Sequence, residues 1–309
     1  MITIEKLSEA VKLLKEGKLV AFPTETVYAL AGDASNLVAV QQIFALKERP
    51  INQPLSVLLA KEYALQEWVC DIPPIAEKLA QRFWPGPLTL IFHKKKSVLP
   101  ALTGGQNKIG LRVPDHPIAQ AILEAFGAGL AAPSANRSSH LSPTQIEHVR
   151  QEFDNKLDLI IDGGACAIGI ESTIIDVTFA IPRILRLGAI SLEDVKSITA
   201  YEIEESIIPQ RCSKKPLLKQ VSKQELGPFI DRYLKQHKIL TVFGLGPVKK
   251  KCKNLTWISM PKDARHYGKV LYKYLHEAEQ QVNDEILVES VPRLKAWIGI
   301  QAILDKYSA

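Results

Sequence analysis

Cysteine is scarce in this chain, and the four present, Cys70, Cys166, Cys212 and Cys252, are not spaced as a metal knuckle or a redox pair. They read as reduced, mostly structural thiols, and the expectation is a cytoplasmic protein. The seven histidines, at 93, 116, 140, 148, 237, 266 and 276, never fall four apart on one helix. Neither a structural zinc nor any other protein-held metal is expected. There is no Gly-x-Ser-x-Gly elbow for a serine hydrolase and no Gly-x-x-x-x-Gly-Lys loop, so any ATP must be gripped by side chains and unusual loops. No apolar run approaches the roughly 18 residues of a membrane span. The N-terminus opens on an amphipathic helix pattern with no signal-peptide block, and no membrane contact is expected. Aromatics are only 7% of the residues and fall mostly at core-like positions, which argues against an RNA reader built on stacking.

What is present is a chain able to fold. It is 46% hydrophobic and 23% charged over 309 residues, which suits one large or two ordinary domains. The net charge of +6 is compatible with an anionic substrate or nucleic acid and proves neither. Helices are predicted over 5–17, 37–46, 75–83, 118–126, about 144–153 and 191–198 from 3.6-residue periodicity and caps. Strands are predicted at 19–22, 55–59, 88–92, 109–113, 130–132, 157–162, 173–177 and 184–186. Helices and strands do not alternate strictly, so a mixed sheet with helices is expected over residues 1–203. A polar linker broken by Pro209 and Pro216 is expected over 204–225. A small α/β domain follows over 226–309, with helices at 228–236, 264–282 and the terminus, and strands at 239–244, 255–260 and 285–289. Gly244–Leu245–Gly246 is too incomplete for a dinucleotide fingerprint and reads as a tight turn.

Polar groups gather where apolar strands give way to loops, which is where sites usually lie. Lys47 and Arg49 stand two residues apart at the end of a helix and before Pro50. They either complement the helix C-terminus or grip a polyanion, with lysine as a compact charge and arginine as a fork. Ser134 and Asn136 make an ordinary turn or hold phosphate. Arg112 and Arg186 lie in apolar strands, where a lone guanidinium is costly, so each is salt-bridged or faces a cavity. Ser172 and Thr173 follow Glu171 into a strand.

Taken in order, FPTETVYAL at 22–30, IFALKERP at 43–50, QPLSVLL at 53–59, FWPGPLTLIF at 83–92, IGLRVPDHP at 109–117, APSANRSSHLSPT at 132–144, GIESTIIDV at 169–177 and ILRLGAIS at 184–191 carry a resemblance. They resemble the YrdC-like family of L-threonylcarbamoyladenylate synthases, and the looser match at 263–292 and 298–309 resembles the second domain of its two-domain members. The resemblance implies a twisted open mixed sheet with helices around a basic cavity, plus a small Rossmann-like C-terminal domain. It implies synthesis of L-threonylcarbamoyl-AMP from ATP, L-threonine and bicarbonate with release of pyrophosphate. That product serves threonylcarbamoyladenosine formation in tRNA through a downstream transferase complex.

Carried over residue by residue, the resemblance makes Lys47 and Arg49 catalytic. ATP would be held by Lys47, Arg49, Gln53, Ser134, Ala135, Asn136, Ser142 and Arg186. L-Threonine would lie against Thr26, Arg112, Pro133 and Ser172, and Mg²⁺ would arrive with ATP. Three positions depart from the family pattern: Gln53 for an asparagine, Leu58 for a histidine near the threonine, and Lys108, which would add charge near ATP. The lid motif of two-domain relatives, Gly-Met-x-x-x-His-Tyr-x-Pro, is missing at 208–216. The other readings are an RNA-binding module or an inactive paralogue of the same fold. Carbamoyl transfer in hydrogenase maturation would add zinc-binding cysteine pairs that are absent here.

Overall fold

The computed structural model describes residues 2–61, 65–198, 203–206, 217–248 and 252–308. The chain divides into two compact units, Met1–Ile208 and Pro209–Ala309.

The first unit opens with α1 (Ile4–Lys15), β1 (Val20–Pro23), β2 (Tyr28–Asp33), α2 (Leu37–Lys47) and β3 (Ser56–Leu58). It continues through α3 (Pro74–Phe83), β4 (Leu88–His93), β5 (Lys108–Arg112), α4 (Pro117–Phe126), β6 (Leu130–Ala131) and α5 (Ile146–Phe153). It ends with β7 (Leu159–Ile160), β8 (Thr173–Asp176), β9 (Arg183–Arg186), α6 (Leu192–Lys196) and β10 (Glu204–Glu205). The local chemistry explains the boundaries. Asn36 caps α2 by accepting from the amides of Val38 and Ala39. Pro117 opens α4, and Gly127, at φ 77°, closes it in the left-handed region that glycine enters without penalty. Ser191 and Asp194 form a reciprocal capping box on α6.

Among the described residues ten strands join in the order β10-β9-β8-β4-β5-β3-β6-β2-β1-β7. The sheet is mixed, as expected: β3 and β5 run parallel while β4 and β5 run antiparallel. Its core packs Val20, Phe22, Ala31, Leu58 and Leu130 against Ala10 and Leu14 of α1 and Ile118, Ile122 and Leu123 of α4. Each such large side chain contributes about 1.5–3 kcal/mol on leaving water. Leu58 belongs to this core.

The second unit holds β11 (Lys219–Val221), α7 (Leu226–Lys235), β12 (Leu240–Gly244), β13 (Leu255–Ser259), α8 (Ala264–Gln280), β14 (Glu285–Glu289) and α9 (Ile298–Tyr307). Its strands pair in the order β11-β14-β12-β13, all parallel. The central strand β12 is buried throughout, as a strand covered on both faces must be. Gly244 ends it where a side chain would force the Trp257 ring to move, because a Cβ there would lie 2.2 Å from that ring.

The linker expected over 204–225 needs correction at both ends. Glu204–Glu205 pairs in parallel with β9, and Lys219–Val221 pairs in parallel with β14. Backbone pairing is invisible to a composition count, and two-residue strands carry no periodicity to read. Residues 208–216, the stretch that lacks the lid motif, lie outside the described residues, Cys212 among them. The strand β2 was also missed, because Tyr-Ala-Leu-Ala-Gly-Asp has little of the β-branched content that marks strands.

Candidate active site

The site grows from a turn. The helix α2 stops at Lys47 because Glu48 takes a left-handed conformation, with φ 50° and ψ 40°. The chain reverses there, and the Arg49 amide returns to the Phe44 carbonyl at 3.0 Å. Two cations two residues apart are thereby aimed away from the helix axis.

Lys47 is 2% exposed. Its Nζ donates to the main-chain carbonyls of Ser134, at 2.5 Å, and Asn136. In return the Ser138 amide donates to the Lys47 carbonyl at 2.7 Å. The partner loop, 132–144, is itself pinned to β2. The Leu30 amide donates to the Pro133 carbonyl, and the Ala135 amide to the Tyr28 carbonyl, both at 2.8 Å. The Asn136 amide nitrogen donates to the carbonyls of Arg137 and His140, while its buried Oδ1 has no partner among the described residues. Glu152 on α5 holds the far side of this loop, accepting from Arg137 Nε at 3.1 Å and pairing with His140 Nδ1 at 2.5 Å.

Arg49 is half-buried, and among the described residues its guanidinium meets carbonyls and no carboxylate. Nη2 donates to Pro54 at 2.9 Å and Nε to Gln53 at 3.4 Å. Burial first, and the neighbouring Arg186 charge second, pull Arg49 below the usual arginine range. Two guanidiniums close enough to disfavour each other are a standing attraction for an anion. Arg186 is aimed by β9 and tied to Ser172, its Nε donating to the carbonyl and its Nη2 to Oγ, both at 3.0 Å. Ser172 Oγ in turn lies 2.9 Å from Thr89 Oγ1 on β4. Ser142 donates to Glu171 Oε1 at 2.8 Å, joining the 132–144 loop to the entry of β8.

These contacts form a chain. They lead from Lys47 to Ser134 and Asn136, along that loop to Ser142, and on to Glu171, Ser172 and Arg186, whose charge is felt by Arg49. The expected ATP residues Lys47, Arg49, Ser134, Ala135, Asn136, Ser142 and Arg186 therefore share one neighbourhood. Gln53 is exposed and joins it through its carbonyl.

The expected threonine residues meet by a less obvious route. Strand register sends Arg112, Thr173 and Arg186 out of one end of the sheet and Tyr28 and Ser134 out of the other. The loop after β1 bridges the two ends. Ile168 donates to the Glu25 carbonyl at 2.8 Å, and the Glu25 carboxylate sits 2.6 Å from Arg112 Nη2. Arg112 is 7% exposed and also donates Nε to the Gly86 carbonyl at 3.2 Å. Thr26 is fully buried, its hydroxyl 2.9 Å from that of Thr24. Pro133 lines the neighbouring loop.

One expectation is overturned. Lys108 adds no net charge for ATP, because its Nζ is paired with the buried Asp176 at 2.8 Å and lies over the Phe179 ring at 4.1 Å. Glu25, Thr89 and Glu171 were not foreseen as site residues. For Glu25 the available signal was an acid flanked by two threonines at the exit of an apolar strand.

A family model named for Sua5, YciO and YrdC, described as telomere recombination, matches residues 12–188. A protein of Pyrococcus abyssi named threonylcarbamoyl-AMP synthase is 45% identical over 193 residues. That alignment covers 62% of this chain and 57% of the relative, so in sequence the chain spans less than two thirds of it. A Schizosaccharomyces pombe protein of the same name is 30% identical over 342 residues, covering 93% of this chain and 84% of that one. Among solved structures, Pyrococcus abyssi Sua5 complexed with L-threonine aligns with a TM-score of 0.89 at 33% identity, covering 100% of this chain and 95% of that one.

Proposed function

Because this chain belongs to the Sua5, YciO and YrdC family, we propose that it makes L-threonylcarbamoyl-AMP from ATP, L-threonine and bicarbonate, releasing pyrophosphate. The product is the activated group that a downstream transferase complex would attach to adenosine in tRNA. The names of the relatives and the threonine-bound neighbour support this reading, and one observation carries it. Lys47, pinned to the Ser134 and Asn136 carbonyls, and Arg49, set against Arg186, converge in one cluster from distant parts of the chain.

The chemistry asks little covalent work of the protein. The threonine amine adds to carbon dioxide from bicarbonate, losing a proton and forming a carbamate. A carbamate oxygen attacks the α-phosphorus of ATP, and the bond to the β-phosphate oxygen breaks as pyrophosphate leaves. Positioning and charge neutralisation supply the acceleration. Lys47, held in place by the Ser134 and Asn136 carbonyls, brings a positive charge to the phosphates. Arg49 and Arg186 face the phosphates, and Ser134 and Asn136 frame the nucleotide. Thr26, Arg112, Pro133 and Ser172 surround the amino acid.

The cluster's donors are cations and amides, which suit phosphate and not a bare divalent ion. Lys47, Arg49 and Arg186 would hold the triphosphate that carries Mg²⁺, and the ion would supply further charge neutralisation for the leaving pyrophosphate. Among the described residues no helix is long and apolar enough to cross a membrane, and a cytoplasmic location accords with the tRNA pathway.

The test is pyrophosphate release with ATP, Mg²⁺, bicarbonate and L-threonine, omitting each in turn. Release that needs all four supports the reading. Threonine-independent release, or RNA binding with a steep salt slope and no ATP turnover, overturns it.

A further inference from the structure

Glu25 lies in the turn between β1 and β2 and is 4% exposed. A buried carboxylate ordinarily gathers several donors. Neither Glu25 oxygen accepts a hydrogen bond among the described residues. Its charged neighbour is Arg112, with Nη2 2.6 Å from Oε1, near enough for an ion pair but off the hydrogen-bond axis. Arg112 commits Nε to the Gly86 carbonyl. Both members of the pair thus keep unused hydrogen-bonding capacity, the acid for a donor and the base for an acceptor.

A ligand that uses both must bring a donor and an acceptor side by side. An α-amino acid carries its ammonium and carboxylate on one carbon, and an adjacent anion and cation answer both groups at once. The Glu25–Arg112 pair has that form. It is also neutral as a unit, so a zwitterion leaves the buried charge balanced. A carboxylate lacking the amine would leave a surplus negative charge in a dry site, which is costly.

Resting on the threonine reading above, we propose that Glu25 receives the α-ammonium of the amino-acid substrate while Arg112 holds its carboxylate. Glu25 is then the residue that selects amino acids over acids of the same shape without the amine.

The experiment is calorimetric binding of L-threonine and of 2,3-dihydroxybutanoate, in which a hydroxyl replaces the amine. Wild type, Glu25→Gln and Glu25→Asp are compared, with ATP binding measured alongside. Wild type is expected to prefer threonine by roughly tenfold or more, the worth of a charged hydrogen bond. Glu25→Gln loses that preference or reverses it, because an uncompensated Arg112 favours the net anion, and ATP binding stays unchanged. Glu25→Asp keeps the charge and retains part of the preference. An unaltered preference in Glu25→Gln overturns the proposal, as does an equal loss of both ligands with ATP binding intact, which marks a structural role only. Should Glu25→Gln fail to fold, Glu25→Asp decides: it must weaken threonine more than the dihydroxy acid, and equal weakening overturns. A wild-type protein that binds ATP but neither acid overturns the functional reading itself, a result distinct from the others.

Discussion

Replacing Arg49 by alanine should separate activity from stability. The folded protein loses one good hydrogen bond, Nη2 to the Pro54 carbonyl at 2.9 Å, and one marginal bond at 3.4 Å. The first is worth about 0.5–1.5 kcal/mol net. Against that, the variant no longer buries a guanidinium or holds it near Arg186, the two effects that depress its pKa. The terms oppose each other, so stability should move by no more than about 1 kcal/mol, or roughly 2–4 °C for a domain of this size. Activity has no such offset. One charged contact to a phosphate contributes about 2–3 kcal/mol, a loss of roughly 30- to 150-fold in kcat/KM. The assays are pyrophosphate release with ATP varied at saturating threonine and bicarbonate, and calorimetric melting with and without ATP. The variant should melt near wild type when empty and gain less from ATP, since ligand stabilisation follows affinity. Full activity in Arg49→Ala would refute the role. So would a large drop in the ligand-free melting point, which would make Arg49 a structural anchor.

Other perturbations probe the surroundings. Gly188→Ala would place a Cβ 2.2 Å from the Glu171 carbonyl oxygen, where backbone must shift. It should cost about 1–3 kcal/mol by melting and raise the KM for ATP by displacing the strand that aims Arg186. Lys108→Ala exposes the opposite case, since its partner is Asp176 at 2.8 Å. Stability should fall by about 1–3 kcal/mol while kcat/KM stays within twofold, and an ATP-specific defect would restore Lys108 to the nucleotide site. Burial, helped by the charge of Glu25, pushes the Cys166 thiol up to about 12. The unfolded thiol ionises near 9.0, so its contribution is intact below that pH and is lost as pH rises toward 12. Denaturant melts should show about 1.4 kcal/mol of loss per pH unit from this group, absent in Cys166→Ala. At neutral pH, mass spectrometry after iodoacetamide should find the exposed Cys70 and Cys252 labelled and Cys166 untouched until the protein unfolds.

The parts legible in the sequence were those with local causes. Helices announced themselves through caps and periodicity, and Lys47, Arg49, Ser134 and Asn136 through strand-to-loop transitions. Most strands of the large mixed sheet, down to the two-residue Leu130–Ala131, were legible as short apolar runs. The two that were not, Tyr28–Asp33 and Glu204–Glu205, exist because of their neighbours and not because of their own composition. Long-range electrostatics were least legible. Lys108 looked like an addition to a basic cluster until Asp176, 68 residues on, was seen to cancel it. Arg112 invited two readings, salt bridge or ligand site, and Glu25 makes it a partner in the first while leaving it available for the second.

The left-handed residue between the two cations has a consequence for how such sites are sought. Because a dihedral angle sets the bend, and the side chain adds only a long 3.8 Å ion pair to Arg137, position 48 is loose in chemistry and strict in shape. Glycine there would preserve the hairpin of charge. Valine or isoleucine would leave the Lys-x-Arg lettering intact and splay the pair. A pattern written only in letters therefore understates what this corner requires, which is a conformation of the middle residue.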